Sequence, residues 1–311
     1  MSGEVRMMLR ILIKKEIQGN LTSLRFILTF LLVISVFIAS GVTFVGKYQE
    51  NLADYVDIAN QNLAGFQKQS PNLNLVPYYL QTIRKKPLAA QLFVEGAEKD
   101  LPNTFRADVF TIQYPEVESR TNFLFPAFAD IDWAFIIAII MSFVAVIMTF
   151  DALSGEKQRG TLGLMMSNAV SRDSVLIGKY ISGLLTLILP LFAGFLLNMI
   201  IVGFGGVPLS GQSFELKILA FLIMAVVYLS VFVLLGLLVS SLLSRSSSSI
   251  IAILFIWVIL TVLVPAFGRI AAEKSVQIPT MTDMNRQFEI LRMEMLMNSE
   301  RYGKNAGNWE P

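Results

Sequence analysis

Apolar residues in this chain fall into five long unbroken runs, at 26–45, 133–150, 181–204, 218–239 and 250–267. None of the five contains Asp, Glu, Lys or Arg. A helix needs about 20 such residues to cross the roughly 30 Å hydrocarbon layer of a bilayer, so each run predicts a transmembrane helix. The second and fifth are short, but Asp132 and Arg269 stand just outside them, where a charged side chain reaches the interface.

The stretches between the runs have textures of their own. In residues 1–20, Arg6, Arg10 and Lys14 recur every four positions while Val5, Met8, Leu9 and Leu12 mark another face. That pattern predicts a basic amphipathic helix lying along the membrane surface, with the chain turning into the bilayer at Gly19-Asn20 and the first span filling 21–45. Residues 46–130 predict a small α-containing domain outside the membrane. It opens helically, with Tyr48, Leu52, Tyr55, Ala59, Leu63 and Phe66 at helical spacing. Beyond Ser70-Pro71 the texture shifts to prolines, short apolar pieces and the cluster Arg84-Lys85-Lys86, which reads as a solvated face or as a contact for anionic headgroups. Residues 131–267 carry spans two to five, with a charged loop at 151–178. In the last segment, 268–311, Met284, Phe288, Leu291 and Met295 form a stripe suited to packing on the first outside segment.

The 151–178 loop reads as three pieces. The second span is expected to continue as a helix through Arg159, with Gly160 stopping it and Thr161 capping the next. A short helix over 162–167 then places Leu162, Met165 and Met166 on one face, and Ser171 caps the helix that becomes the third span. An exposed apolar face must be covered. Either the lipid interface takes it, or the groove of a protein partner does, with Glu156, Lys157 and Arg159 supplying a charged rim.

Composition agrees with the spans. The chain has 311 residues, of which 54% are hydrophobic and 15% charged, with a mean hydropathy of +0.62. Soluble domains carry roughly 25% charged residues, so the fold class is an all-α polytopic membrane protein of five transmembrane helices. Lys and Arg cluster before the first span (Arg6, Arg10, Lys14, Lys15, Arg25) and in the second-to-third loop (Lys157, Arg159, Arg172, Lys179). The third-to-fourth turn over 205–216 has none, which puts the amino terminus in the cytoplasm. The first span is read as a retained helix, because 25 residues before it is long for a signal peptide.

Cysteine and histidine are absent. That excludes disulfides, thiolate or imidazole metal sites, and Ser-His or Cys-His catalysis. Asp130, Asp132 and Asp151 sit at span ends, so an intramembrane aspartyl protease is a distant reading. No Gly-x-x-x-x-Gly-Lys-Ser/Thr phosphate loop occurs, so the chain itself is expected to bind no ATP. No metal, other cofactor or nucleic-acid partner is expected either. A membrane assembly or scaffold subunit that does not transport is the alternative to a transporter.

The run Glu156-Lys157-Gln158-Arg159-Gly160-Thr161-Leu162, followed by Leu164-Met165-Met166, Ser171-Arg172 and Gly178-Lys179, resembles the signature region of type-2 permeases of ATP-binding-cassette exporters. The likeness is closest over 150–190 and is to members with large extracytoplasmic loops. It implies a membrane permease, as a pair of identical or paralogous copies, on two ATPase subunits that bind ATP and Mg. It makes the amino-terminal helix an interfacial elbow. It assigns coupling to Glu156, Arg159, Gly160, Thr161, Leu162, Leu164, Met165, Met166 and Arg172. Glu156 and Arg172 are expected to hold the short helix in register by ion pairs. The implied location is a bacterial or archaeal plasma (inner) membrane. Members usually carry a sixth span; 268–311 is then either the end of a short subunit or the start of a piece that continues.

Polar residues within the spans are few. Asn198, deep in the third, is the best candidate to line a translocation path, with Ser230 beside it, while Pro190 is expected to bend that helix. So apolar a path suits a lipidic or amphipathic substrate.

Overall fold

In the computed structural model, the described residues are 3–69, 71, 79–94, 104–107, 112–113, 131–163, 171–209, 214–275 and parts of 286–298. Helix α1 spans Gly3–Leu21 and α2 spans Leu24–Gln69. The bend between them lies at Thr22-Ser23, a turn later than the Gly19-Asn20 step expected. Hydrogen bonds set it there: the Ser23 hydroxyl accepts from the Phe26 amide at 3.2 Å and donates to the Asn20 carbonyl at 2.6 Å, so Ser23 caps α2.

Helix α2 has 46 residues, close to 70 Å at about 1.5 Å per residue. Less than half of that crosses a bilayer. The remainder is a rod on which the outside segment is built. Asn62 clamps the edge of strand β1 (Gln81–Arg84) through both its amide groups, donating to the Thr82 carbonyl at 2.7 Å and accepting from the Thr82 amide at 3.3 Å. Arg84 reaches back to Asp54 at 3.0 Å and Asn51 at 3.2 Å. Gly65 leaves room for the Tyr79 ring, which stacks 5.4 Å from Phe66. Strands β2 (Thr104–Ala107) and β3 (Ile112–Gln113) complete an antiparallel sheet in the order β1-β2-β3, pairing Arg84 with Thr104 and Arg106 with Gln113. The sequence reading anticipated no strands here. At two to four residues each, they are too short to show a period.

Just after β1, a 3-10 turn (Ala89–Leu92) drives Leu92 and Phe93 into the end of the membrane bundle. The Phe93 carbonyl accepts from the Ala134 amide at 3.0 Å, and its ring lies 4.9 Å from Trp133, 5.4 Å from Phe214 and 5.7 Å from Phe221. The outside segment is therefore keyed into the spans and not tethered by loops alone.

Five helices among the described residues are long and apolar enough to cross a membrane: Leu24–Gln69, Trp133–Gln158, Arg172–Phe204, Phe214–Leu242 and Ser246–Ala272. All five predicted runs lie within them. The second span, α3, runs over 133–149 and includes a π-helical stretch, Ile136–Met141. A π turn takes carbonyls off the regular ladder, and in an apolar interior they need new donors. Ala138 finds them in the Tyr228 hydroxyl, at 3.2 Å, and the Ser142 hydroxyl. The third span is α5 (Arg172–Phe204), unbroken through Pro190, and the fourth is α6 (Phe214–Leu242). The fifth, α7, runs over 246–275 with its own π-helical stretch at Ile259–Leu263. Helix α2 packs on α5, α3 sits among α5, α6 and α7, and α1 lies against α5. Contact is close where glycines face larger groups, Gly194 against Phe37 and Gly236 against Thr149.

Helix α7 is the least enclosed, with Ile251 and Phe255 broadly exposed; such a face meets lipid or another chain. Beyond it, Leu291 of the predicted stripe is helical but exposed, while Met284, Phe288 and Met295 lie outside the described residues.

Candidate functional site

The charged loop begins with a break that the sequence reading did not expect. Within the Trp133–Gln158 span, α3 is interrupted by a turn over 150–153 before a short helix, α4 (Ser154–Gln158). Serines of the fourth and fifth spans hold that turn. The Ser240 hydroxyl accepts from the amides of Leu153 at 2.9 Å and Ser154 at 3.0 Å, and the Ser249 hydroxyl donates to the Phe150 carbonyl at 2.6 Å. Lys157 donates to the Ser241 carbonyl, and the Ser246 amide donates to the Gln158 side chain at 3.3 Å. Backbone groups released by the turn are thus taken up by partners far along the chain.

Gly160 ends α4 as its sequence position suggests. Its φ of 72° lies in the left-handed region, which favours glycine. Arg159 is exposed and donates from Nε to the Gly155 carbonyl at 3.1 Å. Thr161 does not cap the next turn; it is already helical, and its hydroxyl donates to the Glu156 carbonyl at 3.3 Å. Leu162 is half-buried beside it. Leu164, Met165 and Met166 lie outside the described residues. The chain resumes at Ser171, whose hydroxyl accepts from the Ser174 amide at 3.2 Å and caps α5 as predicted. Arg172 is exposed in the first turn of α5.

Glu156 makes the ion pair expected of it, though not with Arg172. The partner of Glu156 is Lys179, about two turns into α5, at 2.8 Å. On its other side Lys179 meets Glu16 of α1 at 2.9 Å. Only 3% of the Lys179 side chain is exposed, against 14% for Glu156 and 24% for Glu16. A cation so enclosed must be paired, since leaving it single would cost several kcal/mol. The second oxygen of Glu156 is buried and without a hydrogen-bond partner, so this carboxylate depends on Lys179. Three elements that are remote in sequence therefore meet at one ammonium group.

A second pair stands close by. Arg25, at the start of α2, bonds Asp151 at 2.7 Å and lies over the Phe150 ring at 5.0 Å. Asn20 of α1 reaches the Thr186 hydroxyl at 3.4 Å. Between the pairs is a cavity of about 620 Å³, lined by Glu16, Arg25, Asp151, Glu156, Arg159 and Lys179 among others. Its three acids balance its three bases.

Neither path candidate joins this cluster. Asn198 is wholly buried. It donates to the Phe37 carbonyl at 2.7 Å and accepts from the Trp133 indole at 3.1 Å, so its amide ties α2, α3 and α5 together. Ser230 donates to the Val227 carbonyl of its own helix at 2.9 Å.

Glu16, Lys179, Arg25, Asp151, Ser240 and Ser249 were not among the sequence-stated site residues. Glu16 carried a faint signal, as an acid following Lys14-Lys15 in a basic helix. Lys179 carried another, as a cation at the edge of an apolar run.

A family model described as ABC-2 family transporter protein matches residues 10–303 of the chain. No curated protein matches it.

Proposed function

The chain belongs to the ABC-2 family of transporter proteins, membrane permeases that associate with ABC ATPase subunits, and from that premise we propose that it is an exporter subunit driven through the 156–171 loop. Two ATPase subunits, which carry ATP and Mg, receive the apolar face formed by Leu162, Met165 and Met166, with Leu164 beside it and Glu156, Arg159 and Arg172 around it. Gly160 and Thr161 form the joint from which this short helix hangs. A second permease, identical or paralogous, completes the path. The loop and amino terminus lie in the cytoplasm, the keyed outside segment lies across the membrane, and the membrane is the bacterial or archaeal plasma membrane. The cargo is lipidic or amphipathic, in keeping with spans that carry few polar groups.

The observation that carries this reading is the fastening of the loop's base. A loop that only connected two spans would need no more than its own backbone. Here the 150–158 segment is bonded to Ser240, Ser241, Ser246 and Ser249 and, through Glu156, to Lys179. A force on the loop is then delivered to the third, fourth and fifth spans together, as rigid-body coupling requires.

Purification of the tagged chain from its native membrane is expected to bring down an ATPase with vanadate-sensitive hydrolysis. Absence of both would sink the transport reading. Leu164→Ala or Met165→Ala should leave insertion and hydrolysis in place. In proteoliposomes these variants should lower ATP-driven movement of a fluorescent phospholipid by about tenfold, the loss of roughly 1.4 kcal/mol of coupling. Wild-type movement in both would remove these two side chains from the contact.

A further inference from the structure

Among the described residues, Lys179 is the only charged residue in the buried interior, and its two carboxylates come from different elements. Glu156 belongs to the base of the loop and Glu16 to the amino-terminal helix. An anchoring helix needs no such bond. Its apolar face and its basic residues hold it at the interface by themselves, and an acid directed inward toward a buried lysine adds nothing to that attraction. The bond does link α1 to the element that lies under the ATPase.

We propose that Lys179 is a positioning residue that joins α1 and the loop base into one mechanical body, so that a push on the loop carries the amino-terminal helix with it. This rests on the coupling reading above. Breaking one side of a buried ion pair exposes an uncompensated charge to an apolar interior, so the three groups stay together through a stroke that would disrupt weaker contacts. Room for the movement is present. The cavity of about 620 Å³ lies against this body, with Gly19, Asn20 and Ser23 on the α1 side and Met148 and Asp151 on the α3 side. The α1 helix is then a driven part of the transporter and more than a float on the leaflet.

The chain has no cysteine, so paired spin labels can be placed without background. Gln18→Cys on α1 and Gln158→Cys on the loop report the body, and Gln158→Cys with Val42→Cys reports its position against the first span. Both pairs are measured in the full complex with its ATPase, nucleotide-free and vanadate-trapped. The expected result is an 18–158 separation that is equal in the two states while the 158–42 separation shifts. Glu16→Gln should release α1, so that the 18–158 separation now differs between states by on the order of one helical turn, about 5 Å. Glu16→Asp and Lys179→Arg, which keep the charges, should restore the equal separation. A changing 18–158 separation in the unsubstituted body overturns the inference even if Glu16→Gln fails to fold. So does an unchanged one in Glu16→Gln. If trapping moves neither pair, the coupling reading falls and this inference with it.

Discussion

Asn198 is fully buried and makes two hydrogen bonds, one to the Phe37 carbonyl and one from the Trp133 indole. The sequence marked it as the one amide deep in the third span, and that much was legible. Its role was not, because an amide lining a path and an amide tying helices look the same in one dimension. Asn198→Leu fills the volume but orphans both partners. Between helices in a membrane such bonds are worth on the order of 1 kcal/mol each, so a loss of roughly 2 kcal/mol is expected from thermal unfolding in detergent. An unchanged midpoint would show that the tie does not matter. Lys179 teaches the same lesson in reverse. In the sequence it counted among the cations of the second-to-third loop and in the Gly178-Lys179 step of the resemblance, and only folding brings Glu16 and Glu156 to it.

At the scale of elements, each apolar run fell inside one long helix, because a bilayer admits few structures other than helices. The joints between elements did not follow. The break at 150–153 depends on Ser240 and Ser249, which lie more than eighty residues further along. The contact of α3 with α6 depends likewise on Gly236, whose missing side chain leaves the space that Thr149 fills. Gly236→Ala should force those two helices apart at a cost of about 1–3 kcal/mol, the usual price of overpacking. Thr149→Ala removes the hydroxyl that an added Cβ would meet first and should recover part of that loss in the double variant. The check is a double-mutant cycle on thermal stability; additive effects would mean that the two positions do not meet.

For the whole molecule, the expected topology places the loop and α1 on one side of the membrane and the sheet on the other. An impermeant maleimide applied to sealed cells should label Lys85→Cys and leave Thr22→Cys unlabelled until the membrane is opened. Labelling of Thr22→Cys in sealed cells would reverse the orientation, and with it the side from which an ATPase reaches the loop. The keyed contact of Leu92 and Phe93 with Trp133 further implies that the outside segment and the far end of the bundle hold one another in place.

By itself the sequence determined the class of the protein, the five spans found among the described residues, the basic amino-terminal helix and the helix stop at Gly160. Each of these depends on hydrophobicity, charge or backbone freedom acting within a few turns of chain. It was silent on the small sheet, whose strands are too short to declare a period, and on the turn after α3. It expected an ion pair at Glu156 without naming its partner, which is Lys179, twenty-three positions further on. Tertiary structure decided that pairing for a plain electrostatic reason. Arg172 remains in solvent, where its charge costs nothing, whereas Lys179 is enclosed by α1 and α4 and must have carboxylates beside it.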